Sequence, residues 1–492
     1  MDPPPAACNI PPSFVSAHGL SKHQAERYSR QVILPTFGPA AQARLCGSSA
    51  LIVGCGGLGA PAALYLAAAG VGRLGLVDRD VVEVSNLHRQ IIHSEARAGA
   101  HKADSAAAAV AALNSSVSID VHRGGLDRGN AVQIVSQYDV VLDASDNAPT
   151  RYLLSDACAA AGRPLVSAAA VGTDGQLTVY CHGGDGPCYR CLFPEPPAPG
   201  DCARCSDAGV LGPVPGVMGV LQALEAIKLL SGVGAPLGRT LLLFDGLAGR
   251  FTSVKLRARA PGCAACGGGR EATESMPAPG GGGEAGGGPR GRMRPADVAA
   301  FDYERFTGQA AHDGPPPPLR VLPPEARLSA GELRRRLRER AAPAAAGAGS
   351  GSSGAQPGAG AAAAAAAAES SSGGGGGGGY LLVDVRPREQ FESAALPGAV
   401  SAPFESPAAF RERQLPRLLA LRAAAAHGGG GGAGGGDAGA GAAPDVFVLC
   451  RRGNHSQLAV EALREAGVAE AYDLIGGLQA WADEVDPGVP VL

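Results

Sequence analysis

Six of the twelve cysteines in this 492-residue chain fall in Cys-x-x-Cys pairs: Cys188/Cys191, Cys202/Cys205 and Cys263/Cys266. Thiolates at this spacing bind zinc tetrahedrally, and one site uses two pairs. Cys188-Tyr-Arg-Cys191 follows a predicted strand, and Cys263-Ala-Ala-Cys266 closes the first stretch of ordinary complexity. Joining those two would tie the end of a domain back onto its body. Cys188, Cys191, Cys263 and Cys266 are therefore the expected ligands of a structural zinc, with unrelated buried thiols as the plainer alternative. Cys202 and Cys205 remain, and one of them could be a nucleophile in the loop before Val210.

A seventh cysteine stands in a different setting. Cys450-Arg-Arg-Gly-Asn-His-Ser456 follows a predicted strand and precedes a helical stretch over 457–466. A thiol near a helix N-terminus, in a loop of backbone N–H groups with two arginines beside it, is set to carry a negative charge on sulfur. Cys450 is expected to be a reactive thiolate or a persulfide carrier. Phosphatases use a similar cradle, but their loop is longer and closes on an arginine, whereas here the arginines follow the cysteine directly. His455 reads as a loop residue rather than a base.

Leu51-Ile-Val-Gly54-Cys-Gly56-Gly57-Leu-Gly59 is an apolar run entering a glycine turn and then a helix, and the next strand ends in Asp78. Such a βαβ unit brings backbone N–H groups to a phosphate and a carboxylate to a ribose. It predicts an adenine nucleotide, for which a dehydrogenase is the default reading. Beyond later strand ends lie Asn86, Arg89 and Lys102, which could neutralise phosphates, and Asp146 with Asn147, where Asp146 could hold Mg²⁺. A dehydrogenase needs no such cation, whereas nucleotidyl transfer does.

These residues need a scaffold, and residues 50–180 supply the α/β alternation. Strands are predicted at 50–54, 74–78, 118–122, 139–143 and 164–168, with further ones at 176–181 and 241–245. Helices are predicted at 60–69, 103–113, 151–161 and 217–230. The expected class is an α/β, doubly wound Rossmann-like domain with structural zinc, a flexible linker and a small α/β domain. Its boundaries are a loose N-terminus over 1–20, a first domain over 21–266, a low-complexity linker over 267–379 and a second domain over 380–492. A Gly/Ala insertion occupies 424–443.

A net charge of −3 gives no electrostatic case for direct nucleic-acid binding. Arg334 to Arg340 reads as a solvated helix face. The N-terminus lacks the basic and apolar regions of a signal peptide, and no uncharged apolar run of about 18 residues predicts a membrane span. A cytosolic protein is expected.

Together the motifs resemble two known families. Residues 25–266 are similar to the E1-like adenylyltransferases of the MoeB/ThiF family, through Arg27-Tyr-Ser-Arg30-Gln, Gly54–Gly59, Leu76-Val-Asp78, Ser85-Asn-Leu-His-Arg89-Gln, Lys102, Ser145-Asp-Asn147 and the outer Cys-x-x-Cys pairs. Residues 380–492 resemble a rhodanese domain, through Asp384-Val-Arg386, the Cys450 loop and Gly476-Gly-Leu-Gln-Ala-Trp481. The fused order is similar to the eukaryotic adenylyltransferases and sulfurtransferases of molybdenum cofactor synthesis and tRNA wobble-uridine 2-thiolation.

The resemblance implies ATP held by Gly57 and Asp78, and by the Ser85-Asn86-Leu87-His88-Arg89 run with Lys102, Asp146 and Asn147. Mg²⁺ would sit at Asp146, and Arg30 would reach across a homodimer. It implies Cys205 as the loop thiol and Cys450 as the sulfur carrier, while Cys202 has no counterpart. The implied partners are ubiquitin-like sulfur carriers (the molybdopterin synthase small subunit and the ubiquitin-related modifier) and a cysteine desulfurase. An alternative is an E1-type enzyme that conjugates the carrier to lysines, with the rhodanese domain accessory.

Overall fold

The computed structural model describes residues 18–196, 209–267, 292–311, 319–341, 379–427 and 443–491. The chain forms two compact units, Met1–Gly314 and Pro315–Leu492.

The first unit is built on a sheet of eight strands: β1 (Ser49–Val53), β2 (Arg73–Val77), β3 (Ser118–His122), β4 (Val140–Asp143), β5 (Leu165–Val171), β6 (Asp174–Tyr180), β7 (Thr240–Asp245) and β8 (Arg250–Lys255). Their order is β3-β2-β1-β4-β5-β6-β7-β8. The first five are parallel and the last three add on antiparallel, β5–β6 and β7–β8 as hairpins and β6–β7 across the Pro213–Ser231 helix. Val, Ile and Leu fill β1, β2 and β4 because both faces of a parallel sheet are covered by helices. The order reverses between β1 and β4, and open α/β sheets bind ligands beyond the carboxyl ends at that point.

The predicted strands are all present within a few residues. β8 escaped sequence reading because all six of its residues are exposed, leaving no buried alternation to detect. The Gly59–Ala69 helix ends at Gly70, whose φ of 92° suits a residue without a Cβ. The Pro213–Ser231 helix is by length and composition apolar enough to cross a bilayer, although Glu225 and Lys228 lie within it. Here it is a core helix. Val214, Met218, Ala223 and Ala226 are buried, and it packs on the Gly59–Ala69 helix and on β5 and β6.

The second unit holds a five-stranded parallel sheet in the order β11-β10-β12-β13-β9. Its strands are β9 (Arg327–Leu328), β10 (Tyr380–Asp384), β11 (Val400–Ser401), β12 (Asp445–Leu449) and β13 (Ala471–Leu474). Helices Ala330–Ala341, Leu415–His427, His455–Glu465 and Gly477–Glu484 cover it. Trp481 joins Leu328, Leu333 and Leu478 in one of its cores.

The region 267–379, expected to be linker throughout, contains two folded pieces. Met293, Val298 and Tyr303 are buried in a core of the first unit. Residues 319–341 belong to the second, where β9 pairs with β13 and Leu333 is 2% exposed. Of these pieces the sequence suggests only the helix face at Arg334–Arg340; the 292–311 helices and β9 are too short to carry a periodic signal against the surrounding Gly, Ala and Pro. Residues 1–17, 268–291, 312–318 and 342–378 of the expected loose segments lie outside the described residues. So do 428–442 of the 424–443 insertion, whose first residues continue the Leu415–His427 helix.

Candidate functional site

The carboxyl ends of β1, β2 and β4 open onto a cavity of about 140 Å³. Gly54, at φ 97°, turns the chain out of β1, and a Cβ there would lie 2.5 Å from the Ala144 oxygen. Gly56 differs: a Cβ at this position would meet only the Gln90 amide at 3.5 Å, so its absence leaves room for a ligand at the backbone. Asp78 ties the turn to β2, accepting from Cys55 N at 2.8 Å and Asp80 N at 2.9 Å. Burial pushes its carboxyl up, against the pull of Lys102.

Gly57, Asp78, Arg89, Lys102, Asp146 and Asn147, all expected at the nucleotide, line this cavity. Lys102 Nζ lies 2.9 Å from Asp80 Oδ2 and is largely buried. Burial alone would lower its amine, but the carboxylates of Asp78, Asp80 and Asp146 more than offset this and hold it above its ordinary value. Arg89 donates from Nη2 to Asn86 Oδ1 at 2.7 Å and has Nη1 2.7 Å from His88 Nε2. Ser85, Asn86, Leu87 and His88 are not among the lining residues. Asn86 and His88 hold Arg89, and Ser85 and Asn86 donate to Glu83. Burial, then the Arg89 charge, lowers His88.

Asp146 is exposed at the cavity, whereas Asn147 caps the Ala148–Ala161 helix, its Oδ1 accepting from Thr150 N at 3.0 Å. Arg30 is exposed and is not among the residues lining the cavity of its own unit. Cys202 and Cys205 lie outside the described residues. Sequence reading gave no role to Gln90, which is 4% exposed, lines the cavity, and has an Oε1 without a hydrogen-bond partner among the described residues. An orphaned buried amide oxygen costs about 1–3 kcal/mol and fits a position awaiting a ligand donor.

Cys188, Cys191, Cys263 and Cys266 are all buried, with their sulfurs within 4.8 Å of one another. Cys188–Cys191, Cys188–Cys263 and Cys191–Cys266 sulfur separations are 3.8, 3.5 and 3.4 Å. Four thiolates about 2.3 Å from a central ion would stand at separations of this size, so the donor set fits zinc. The cluster is anchored from within. Arg190, inside the first pair, donates to Asp156 at 2.8–3.0 Å, and Tyr303 donates to the same carboxylate at 2.9 Å. The guanidinium also lies over Tyr152, Phe301 and Phe306.

In the second unit Cys450 is 4% exposed at the end of β12. Gly453 N donates to its sulfur at 3.1 Å. Leu478 N and Gln479 N, at the start of the Gly477–Glu484 helix, donate to the carbonyls of Cys450 and Arg451. Gln457 Nε2 bonds Gly453 O and Leu319 O, so residues 319–321 strap the loop. Asp384 and Arg386, at the carboxyl end of β10, form a fully buried ion pair with each other.

A cavity at the switch point of a Rossmann-like sheet, a four-cysteine cluster, and a small parallel unit with a cradled cysteine define a protein of the ThiF and rhodanese-like class. Residues 28–265 match the ThiF family and residues 374–484 the rhodanese-like domain. The chain is 43% identical over 473 residues to adenylyltransferase and sulfurtransferase MOCS3 of Arabidopsis thaliana, covering 96% of this chain and 86% of that protein. With MOCS3-1 of Zea mays it shares 44% over 478 residues, 97% of this chain and 86% of that one. With MOCS3 of Bos taurus it shares 42% over 474 residues, 96% and 88%. The chain belongs to the family of adenylyltransferase and sulfurtransferase MOCS3, and it is an enzyme of adenylyl and sulfur transfer.

Proposed function

We propose that this chain adenylates the C-terminal glycine of a ubiquitin-like sulfur carrier and then turns that carboxylate into a thiocarboxylate with sulfur carried on Cys450. The products would serve molybdenum cofactor synthesis and tRNA wobble-uridine 2-thiolation. The observation that carries the reading is the pairing of two chemistries in one chain. One unit has a cavity bearing Lys102, Arg89 and Asp146, and the other has a buried cysteine that accepts the Gly453 N–H.

The carrier carboxylate attacks the α-phosphorus of ATP, forming an acyl phosphate anhydride and expelling pyrophosphate. Lys102 and Arg89 would neutralise the phosphate charge, and Arg89 is already oriented by Asn86. Gln90 Oε1 would accept from the bound nucleotide. Mg²⁺, held by Asp146, would supply further charge neutralisation. Zinc at the four-cysteine cluster would be structural, closing residues 263–266 onto the body of the unit.

The terminal sulfur of a Cys450 persulfide then attacks the acyl carbon and expels AMP. Cys205 would either take the acyl group as a thioester first or attack the Cys450 sulfur of the acyl disulfide, releasing the thiocarboxylate and leaving a Cys205–Cys450 disulfide that a small-molecule or protein dithiol reduces. A cysteine desulfurase would load Cys450. A homodimer, with Arg30 entering the neighbouring cavity, is supported by the exposure of Arg30 and its place outside its own cavity. A cytosolic location follows from the expected partners.

Carrier-dependent ATP–pyrophosphate exchange, with the carrier mass followed in parallel, tests the reading. Cys450→Ala should retain exchange and yield no thiocarboxylate. Loss of exchange in this variant would refute the division of labour between the two units. Carrier attached to lysines with no thiocarboxylate would favour the conjugating alternative.

A further inference from the structure

The sulfur loop has a buried acid attached to it. Asp473 on β13 is 1% exposed and bonded through both oxygens. Ser456 Oγ donates to Oδ1 at 2.5 Å, and Arg327 Nε donates to Oδ2 at 2.9 Å. The same Ser456 Oγ stands 3.3 Å from Cys450 Sγ, and Ser456 is fully buried. A hydroxyl has one proton. With that proton committed to Asp473, the Ser456 oxygen faces the sulfur as an acceptor, and the Cys450 thiol donates to it.

We propose that Ser456 and Asp473 form a proton relay that converts the Cys450 thiol into the thiolate that accepts sulfur, with Arg327 fixing the carboxylate. The S–H bond breaks and its electron pair stays on sulfur. The proton moves to Ser456 Oγ as the Ser456 proton moves to Asp473 Oδ1. One carboxylate is lost and one thiolate gained, so the buried site gains no net charge, which would be costly away from water. The thiolate then receives two donors, the Ser456 hydroxyl and the Gly453 N–H. Ser456 touches the reacting sulfur, whereas Asp473 and Arg327 act through it as positioning residues.

Burial raises the Asp473 carboxyl, and the bonds from Ser456 and Arg327 offset this only in part, which suits a proton acceptor. The charged or titratable groups on the surrounding elements are Arg327 on β9, Asp384 and Arg386 at the end of β10, and Arg451, Arg452 and His455 in the loop. Arg327 bonds Asp473, and Asp384 and Arg386 are closed on each other. Arg327 comes from the stretch that sequence reading assigned to linker, so the β9 segment completes the sulfur site as well as the sheet.

The relay rests on Cys450 being the sulfur-bearing thiol, and two readouts on the full-length protein separate the claims. Iodoacetamide alkylation of the Cys450 peptide, followed by mass spectrometry from about pH 5 to about pH 10, reads the thiolate without sulfur transfer. Ser456→Ala should slow alkylation near neutral pH by roughly tenfold and move the profile to higher pH. Ser456→Thr, which keeps the hydroxyl, should restore the parent profile, and Asp473→Asn should behave as Ser456→Ala. A Ser456→Ala profile that superimposes on the parent's, or a shift shared by Ser456→Thr, overturns the relay even if Asp473→Asn fails to fold. Loading with inorganic polysulfide reads the other claim: no persulfide on an alkylatable Cys450 would refute its carrier role and leave the relay standing.

Discussion

Arg190 and Asp156 face each other through three hydrogen bonds of 2.8–3.0 Å, with both side chains almost completely buried. The arginine sits between Cys188 and Cys191, and the aspartate on the Ala148–Ala161 helix that follows the nucleotide cavity. The pair therefore couples the four-cysteine cluster to the helix that starts at the cavity beyond β4. Burial raises the Asp156 carboxyl, which Arg190 and Tyr303 pull back.

Asp156→Ala should destabilise the protein by about 3–5 kcal/mol, because it leaves a buried guanidinium without its counter-charge. Tyr303→Phe removes one hydrogen bond to the same carboxylate and should cost about 1–3 kcal/mol. Thermal melts of the two variants beside the parent give the comparison. A Tyr303→Phe melt identical to the parent would detach the 292–311 segment from the stability of this unit.

Much of this arrangement was legible in the sequence. The glycine turn, the two outer cysteine pairs and Cys450 carry their chemistry in fixed local spacing, and the structure puts the pairs together. Asp156, Asp473 and Ser456 were not legible because their roles depend on partners distant in the chain. Arg327 and Tyr303 were hidden in short elements next to low-complexity sequence. Asn147, expected at the nucleotide, lines the cavity and also caps the Ala148–Ala161 helix, a second role that the following Ala-Pro signals in the sequence.

Purified protein should contain about one zinc ion per chain by elemental analysis, following the four-thiol donor set. Cys263→Ser should lower that content and the melting temperature together, since metal binding and folding are linked. A strong chelator should produce the same shift in the parent. Full stability in a metal-free preparation would rule out a structural role.

Lys102→Ala should reduce carrier-dependent pyrophosphate exchange by roughly 10²–10³-fold, the scale of losing one preorganised charge from a reaction site. Asp146→Ala should abolish exchange, and persistent Mg²⁺-dependent exchange would refute its role. The pH dependence follows from the sign of the Lys102 shift. An amine held above its ordinary value in the folded state stabilises fully below the unfolded value, and that contribution is lost only as pH rises through the folded value. Exchange should therefore show no Lys102-dependent decline through about pH 9, well below the reference lysine value near 10.4. A fall at mildly alkaline pH that Lys102→Arg removes would contradict the charge arrangement at Asp78, Asp80 and Asp146.

Leu333 tests where the second unit begins. It lies on the Ala330–Ala341 helix, is 2% exposed, and packs in one core with Leu328, Leu478 and Trp481. If the folded unit started at Tyr380, truncating a side chain at 333 would have no effect on stability. Because the 319–341 segment supplies β9 and this helix, Leu333→Ala should cost about 2–5 kcal/mol, the loss of buried leucine volume with incomplete relaxation. The expected signature is a lower melting transition of the unit containing Trp481, read by tryptophan fluorescence since Trp481 is the sole tryptophan. The same variant should leave pyrophosphate exchange intact, because every residue lining the nucleotide cavity belongs to the other unit. An unchanged tryptophan transition would return 319–341 to the linker and remove Arg327 from the sulfur site.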